Sequence, residues 1–167
     1  CSSRRFVARK IGNVSTALRE WIALHTVGHI PLAASLLRPR RHIAPAQLEC
    51  TVPRATMQRL LAQSGLNASQ QDAVLFSVSG DGFRLVQGPP GTGKTQTVMT
   101  IISALLLEPG SGTVLVCAPS NAAVDELATR LLRGVWTVGM DGITLEQRRF
   151  APGKLLRIGV TENCSPL

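Results

Sequence analysis

The stretch Gln87-Gly88-Pro89-Pro90-Gly91-Thr92-Gly93-Lys94-Thr95 decides how this chain folds. Its last eight residues, the glycine loop (residues 88–95), fit the pattern G-x-x-x-x-G-K-S/T at every specified position. A short β-prone run, Phe83 to Val86, comes before the loop. Apolar residues at helical spacing follow it until Pro109. The sequence therefore predicts a strand, the glycine loop and a helix in that order.

The residue types of the glycine loop suit the binding of a phosphate chain. Glycines let backbone amides converge on an anion, because they lack a Cβ and tolerate positive φ. The N-terminus of the following helix faces the same anion. Lys94 would contact the β- and γ-phosphates, and the Thr95 hydroxyl would coordinate Mg²⁺. We predict a nucleotide site rather than a plain glycine-proline turn. It comprises Gly88, Pro89, Pro90, Gly91, Thr92, Gly93, Lys94 and Thr95.

Composition and cysteine usage bound the class of protein. The chain has 167 residues, 44% of them hydrophobic, which suits one globular core. No apolar run is long enough to span a bilayer, so we expect no membrane partner. The four cysteines form no C-x-x-C pair, which is typical of reduced thiols in the nucleus or cytoplasm. The nucleus is slightly favoured. The first residue is Cys1, and we expect a piece of a longer protein.

The net charge of +8 is concentrated at one end of the chain. Residues 1–66 carry ten Lys/Arg and two acids, whereas residues 67–167 carry eight of each. A basic segment joined to a neutral nucleotide-binding part indicates a polyanionic partner such as RNA or DNA. A solvated arginine-rich surface, or a targeting signal in residues 4–10, would explain the charge equally well.

Helical patterns occupy most of the chain before the glycine loop. They predict helices over residues 15–27, with Ser15 or Thr16 as cap, from Pro31 to Leu37, from Ala55 to Ser64, and from about residue 66 towards Ser79, with a loop over 38–54. Gln70 stands three residues after Asn67, as in a capping box. The same side chain would also reach the adenine edge of a nucleotide at the loop. Local sequence patterns do not choose between these roles.

After the loop, the pattern is that of a doubly wound α/β fold with a parallel sheet. Residues 113–118 are a continuous apolar run, which predicts a strand buried on both faces. Pro119-Ser120-Asn121 ends it and opens a helix through Arg133; a further strand is predicted over 154–160. Residues 135–141 resemble an apolar strand ending in a magnesium-ordering Asp. Internal Thr137 and Gly139, and Gly142 where a catalytic Glu would be wanted, argue against that reading.

Three segments together resemble the Upf-type superfamily 1 RNA/DNA helicases, also called the DNA2/NAM7-like family. They are the run from Leu66 to Val74, Leu85-Val86-Gln87, and the run from Val114 to Leu127. Arg19 to Leu24 with Ile30-Pro31-Leu32 resembles the senataxin branch. The resemblance implies a RecA-like parallel sheet with flanking helices. It also implies ATP and Mg²⁺ as ligands, Gln70 as the adenine-reading residue, and Pro119, Ser120 and Asn121 as contacts to single-stranded RNA or DNA.

The resemblance implies an incomplete motor. We expect residues 1–65 to form a basic, mainly helical segment and residues 66–167 the first half of a RecA-like ATP-binding domain. No Asp-Glu strand, second RecA-like domain or arginine finger is recognisable. We therefore expect an ATP-dependent helicase as the parent, whose isolated front part is inactive. The alternatives are a truncated nucleotide- or nucleic-acid-binding module without turnover, and another P-loop enzyme such as an AAA+ ATPase or a small kinase.

Overall fold

The computed structural model describes residues 14–31, 33–34, 52–79, 83–108, 110 and 112–159. The chain divides into two compact units, Cys1–Arg41 and His42–Leu167. No helix in the described part is both long and apolar enough to cross a bilayer. The division predicted on functional grounds, at residue 65, stays a prediction.

The first unit contains helix α1, Ser15–Thr26, followed by a short 3₁₀ turn, Val27–His29. The predicted helix is confirmed, but its predicted cap is wrong. Val14 holds the N-cap position and no side chain caps the helix, because Ser15 and Thr16 already lie within the first turn. The helix predicted from Pro31 to Leu37 and the loop over 38–54 fall mostly outside the described residues.

Two helices precede the glycine loop in the second unit: α2, Arg54–Gln63, and α3, Ala68–Val78. Both were predicted. The inner face of α2 is Met57, Leu60 and Leu61, at the spacing that puts three side chains on one side of a helix. Gly65 follows α2 with a φ of +67°, the left-handed conformation that commonly ends a helix.

Two more helices follow: α4, Lys94–Leu107, directly after the glycine loop, and α5, Asn121–Arg133. Their predicted extents are confirmed. The fully buried face of α4 is more polar than the apolar spacing predicts. It comprises Thr97, Thr100, Ile102, Ser103 and Ala104. Thr100 donates its hydroxyl to the Gln96 carbonyl at 3.0 Å, so a buried hydroxyl is satisfied within the helix.

The apolar core of the second unit has two clusters, and α4 contributes to both. The first cluster joins α2, α3 and α4; its buried members are Val52, Met57, Leu60, Leu61, Leu66, Val74, Ala104 and Leu145. The second joins α4 to α5 through Ile102, Leu131 and Val135. The helix that follows the glycine loop is thus held from both sides, which fixes where the loop lies.

The strands differ from those the sequence predicts. Strand β1, Val135–Val138, pairs antiparallel with β2, Leu145–Arg148. The apolar pattern over 135–141 thus does contain a strand, but that strand belongs to a hairpin. The strands predicted over 83–86, 113–118 and 154–160 form no ladder within the described residues. A strand is completed only by hydrogen bonds to a neighbouring strand, and the part of the chain that the structure describes places none beside these segments. The described fold is therefore mixed helix and strand, with one two-stranded sheet.

Candidate functional site

The glycine loop has the backbone conformation that its composition predicts. Gly91 has a φ of +75° and Gly93 a φ of +71°, both in the left-handed region that favours glycine. Gly93 is the N-cap of α4, so Lys94 is the first residue of that helix. The first amides of an α-helix have no partner within the helix, and they point towards the loop. The loop and helix end form a backbone site suited to an anion.

A side chain at either of two loop glycines would crowd a neighbouring side chain that now lies against the backbone. A Cβ on Gly93 would lie 2.7 Å from the Nε2 atom of Gln70. A Cβ on Gly88 would lie 3.0 Å from the Thr92 hydroxyl oxygen and 3.5 Å from the Lys94 side chain. Any larger residue at Gly93 would therefore push Gln70 away, besides straining the backbone.

Lys94 is folded back onto the carbonyl oxygens of its own loop. Its Nζ atom donates to the Gly88 carbonyl at 2.9 Å and to the Pro89 carbonyl at 2.6 Å. The Thr92 hydroxyl donates to the same Pro89 oxygen at 2.8 Å. Since the Lys94 side chain is exposed and has three donor hydrogens, it can exchange these carbonyls for phosphate oxygens. The ammonium is already positioned over the loop.

Thr95 is the second residue of α4 and is half-buried. Its hydroxyl makes no hydrogen bond to the residues that the structure describes, so it has capacity for a ligand. Within those residues no three His, Cys, Asp or Glu side chains converge as a metal site. This donor set fits Mg²⁺, which keeps several waters and takes few protein ligands beside phosphate oxygens.

Gln70 forms the predicted capping box and also lies at the glycine loop, where the contact with adenine is predicted. Its backbone amide donates to Asn67 Oδ1 at 3.0 Å and its Oε1 accepts from the Asn67 amide at 2.9 Å, which confirms the capping box. Its Nε2 also donates to the Thr92 carbonyl at 2.8 Å. The structure thus brings Gln70 to the glycine loop. Its contact with adenine stays a prediction.

Pro119, Ser120 and Asn121 form the exposed turn that opens α5. Ser120 is the N-cap of α5, and its Oγ accepts from the Ala123 amide at 3.3 Å. Asn121 is the first helical residue. No hydrogen bond joins this turn to the glycine loop within the described part of the chain.

Asp141 lies in the turn of the β1–β2 hairpin and not at the end of a parallel strand. Its Oδ1 accepts from the Ile143 amide at 2.9 Å, the Thr144 amide at 2.8 Å and the Thr144 hydroxyl at 2.8 Å. The Ile143 amide, followed by the two Thr144 groups, lowers the pKa of the Asp141 carboxyl. This carboxylate serves the hairpin, which agrees with the sequence argument against a magnesium role.

Sequence reasoning missed a buried ion pair between α5 and the segment after the hairpin. Arg157 Nε donates to Asp125 Oδ1 at 2.9 Å, and the two side chains are only 5% and 13% exposed. Arg157 Nη1 donates to the Ile158 carbonyl at 2.9 Å. The partners are separated by 32 residues, so no local pattern could have shown the pair.

A pocket of about 180 Å³ lies away from the glycine loop, beside α4, α5 and the hairpin. Its walls include Thr100, Ser103, Arg130, Arg133 and Trp136, and no glycine-loop residue. Arg130 is paired with Glu126 at 2.6 Å. The backbone amides suited to an anion and the Lys94 ammonium both lie at the glycine loop. The candidate site is therefore the glycine loop and not this pocket.

A glycine loop that runs directly into a helix whose first residue is lysine is typical of P-loop nucleotide-binding proteins. The sequence family described as AAA domain matches residues 65–166. The chain belongs to this family, in the form found in the superfamily 1 helicases related to Sen1 and Upf1. The predicted Upf-type resemblance is confirmed.

The relatives fit the senataxin branch. The chain is 35% identical to Helicase sen1 of Schizosaccharomyces pombe, over 75% of this chain and 8% of that protein. It is 35% identical to Helicase SEN1 of Saccharomyces cerevisiae, over 90% of this chain and 7% of that protein. It is 47% identical to a regulator of nonsense transcripts 1 homolog of Arabidopsis thaliana, over 51% of this chain and 7% of that protein. The chain thus spans less than a tenth of each relative.

Proposed function

We propose that this chain is the ATP-binding part of an ATP-dependent RNA/DNA helicase that couples ATP hydrolysis to movement along single-stranded nucleic acid. The observation that carries the proposal is the conformation of the glycine loop. Gly91 and Gly93 have left-handed backbones, and Lys94 lies over the loop as the first residue of α4. The helicase relatives support the same function.

The proposed chemistry at the loop is electrostatic. Lys94 Nζ leaves the Gly88 and Pro89 carbonyls and donates to the β- and γ-phosphates, while the loop amides and the start of α4 bind the same oxygens. The Thr95 hydroxyl would hold Mg²⁺, which would supply charge neutralisation at the transferring phosphoryl group. Gln70 lies beside the loop and contacts the adenine edge.

The nucleic-acid contact is proposed at the turn that opens α5. Ser120 Oγ accepts from the Ala123 amide, and this leaves its hydroxyl hydrogen for a phosphate oxygen of a single strand. Pro119 and Asn121 flank it on the exposed surface. The basic excess in residues 1–66 supports a polyanionic partner. A nuclear location, with the cytoplasm as alternative, is part of the same proposal.

The parallel sheet is proposed as a feature of the parent protein. Residues 113–118 alternate between exposed and half-buried side chains, as in a strand with one covered face. In a complete RecA-like domain, neighbouring strands would pair with this segment and with the strand predicted over 154–160. The carboxyl end of the strand over 113–118 would then bring Ser120 to the nucleotide edge of the sheet.

The isolated chain is proposed to bind nucleotide and to hydrolyse little. No carboxylate contacts the glycine loop within the described residues, and the arginine finger of related motors comes from a second domain. Loss of such an arginine costs about three to five orders of magnitude in rate. Binding without turnover is therefore the behaviour we expect of this chain, and it leaves the second candidate, a non-catalytic binding module, to be tested on the parent.

Binding of a fluorescent ATP analogue with Mg²⁺ tests the proposal. We expect Lys94→Ala to weaken binding by about tenfold or more, because a charge-assisted contact to phosphate is lost. Lys154→Ala, an exposed lysine outside the loop, is the matched control and should bind like the wild type. Equal binding by both variants would contradict the assigned site. Phosphate release that rises with single-stranded RNA would contradict the expected inactivity.

A further inference from the structure

The side chain of Gln70 joins two separate parts of the second unit. Its Oε1 accepts from the Asn67 amide at 2.9 Å, which belongs to the start of α3. Its Nε2 donates to the Thr92 carbonyl at 2.8 Å, which belongs to the glycine loop. The carboxamide therefore bridges a helix end and a loop that are 22 residues apart.

The orientation of this carboxamide is fixed by its partners. An amide N–H requires an acceptor and a carbonyl oxygen requires a donor, so Oε1 must face Asn67 and Nε2 must face Thr92. The Nε2 atom also lies against Gly93, at 2.7 Å from where a Cβ would stand. The left-handed Gly93 and the Gln70 amide thus fit one another directly before Lys94.

We propose that Gln70 is a positioning residue for the glycine loop, independent of any contact with the base. By holding the Thr92 carbonyl, it fixes the peptide that leads into Gly93 and the first turn of α4. The inference rests on the proposed function, because it concerns how the same loop binds phosphate. It extends that function by assigning to Gln70 an effect on phosphate affinity itself.

The two roles are compatible by hydrogen-bond count. Each in-chain bond uses one hydrogen of Nε2 or one lone pair of Oε1, and one of each remains. A base-reading Gln70 affects only ligands that carry adenine, whereas a positioning Gln70 affects every ligand that binds through its phosphates. Inorganic tripolyphosphate, which has no base, separates the two.

The first experiment compares the binding of MgATP and of magnesium tripolyphosphate to the wild type, Gln70→Ala and Gln63→Ala. Gln63 is exposed at the end of α2 and serves as the control. We expect Gln70→Ala to weaken tripolyphosphate binding by about two- to tenfold, which corresponds to the loss of one hydrogen bond. A loss confined to ATP would overturn the proposal in favour of base reading alone.

The second experiment needs no ligand and uses Gln70→Glu. A glutamate keeps an oxygen for the Asn67 amide, so the capping box remains, but it has no N–H for the Thr92 carbonyl. The first amide after the loop that is hydrogen-bonded is that of Thr97, which donates to the Gly93 carbonyl at 3.1 Å. We expect this amide to exchange with deuterium about two- to tenfold faster than in the wild type, with the exchange of α3 unchanged. Unchanged exchange of Thr97 would overturn the proposal.

The two experiments keep the two proposals distinguishable. If the wild type binds neither ATP nor tripolyphosphate, the proposed nucleotide site fails, while the deuterium exchange of Gln70→Glu still decides whether Gln70 holds the loop. If the wild type binds both ligands and Gln70→Ala binds tripolyphosphate as tightly as the wild type does, the nucleotide site stands and the positioning role fails.

Discussion

Two regions of the chain differ in how far the structure agrees with the sequence prediction. The glycine loop and α4 fold as predicted, whereas the segments over 113–118 and 155–158 do not form the predicted buried strands. In the first region the Lys94, Thr92 and Gln70 side chains all bond to loop carbonyls, and α4 is packed from both sides. In the second, Leu115 and Leu156 are each 79% exposed and Ile158 is 75% exposed, although their sequences are apolar.

The difference shows which structures a short segment can form with its own hydrogen bonds and which need a neighbouring segment. A helix makes its hydrogen bonds within one segment, and two of the three side chains that donate to loop carbonyls, Thr92 and Lys94, belong to the glycine loop itself. A strand needs a neighbour for its backbone and a cover for each apolar face. The chain therefore combines a hydrogen-bonded loop with segments whose leucines are exposed to solvent. Four measurements test this contrast.

The largest effect is expected at the buried ion pair, which ties the second region to α5. Arg157→Ala removes a largely buried, charge-assisted hydrogen bond to Asp125 and the packing of the arginine side chain, so we expect a loss of about 2–5 kcal/mol in the free energy of unfolding. Denaturant unfolding of the chain measures it. Arg157→Lys keeps the charge and should lose less. Because the hydrogen bonds of Arg157 within the described residues go to Asp125 and Ile158 and not to the glycine loop, folded Arg157→Ala should still bind nucleotide. A loss of nucleotide binding in the folded variant would contradict this separation of the two regions.

Two leucines compare the core with the exposed segment directly. Leu60 of α2 is fully buried, so Leu60→Ala should cost about 2–5 kcal/mol through lost contacts and a residual cavity. Leu115→Ala should change stability by less than about 0.5 kcal/mol, since most of that side chain contacts solvent. Thermal unfolding of both variants gives the comparison. A large cost at Leu115 would mean that residues 113–118 are covered in solution.

A medium effect is expected where a local cap holds the proposed nucleic-acid turn. Ser120→Ala removes the oxygen that accepts from the Ala123 amide, and we expect a cost of about 1 kcal/mol. Ser120→Asp keeps a cap and should preserve stability while adding a negative charge against a phosphate backbone. Binding to single-stranded RNA should therefore weaken more in Ser120→Asp than in Ser120→Ala. The reverse order would remove Ser120 from the proposed contact.

The smallest effect is expected from the exposed Asp141 carboxylate. Because its pKa is lowered in the folded chain, its contribution to stability is present above its ordinary value, about 3.9, and is lost as the pH falls through the lowered pKa. NMR titration of the Asp141 carboxyl should give a value below that of an unfolded peptide. Asp141→Asn keeps an acceptor oxygen and should reduce the acid sensitivity of the hairpin. A carboxyl titrating at its ordinary pKa would contradict the three hydrogen bonds.

Much of the loop region could be predicted from sequence because its determinants are local. Four features each depend on residues within a few positions of one another. They are the glycine spacing, Lys94 at the start of a helix, the capping box at Asn67 and Gln70, and the inner face of α2. The membership in a helicase family followed from the same short segments.

The hairpin and the ion pair could not be predicted in this way. The pairing of Val135 with Arg148 and the bond from Arg157 to Asp125 depend on which segments meet after the helices have packed. The apolar composition of residues 113–118 predicted a strand buried on both faces, and that prediction was wrong. The exposure of this run is set by which other segments pack against it, and composition does not show that.

The sequence by itself determined the glycine loop, the helices around it and the family, because spacing, capping and φ preferences act within a few residues. Only the tertiary structure decided that Gln70 reaches the Thr92 carbonyl and that Arg157 is buried against Asp125. The physical reason is the range of the interactions. These bonds join groups 22 and 32 residues apart, whose distance is set by how the helices pack, and local preferences carry no information about that distance.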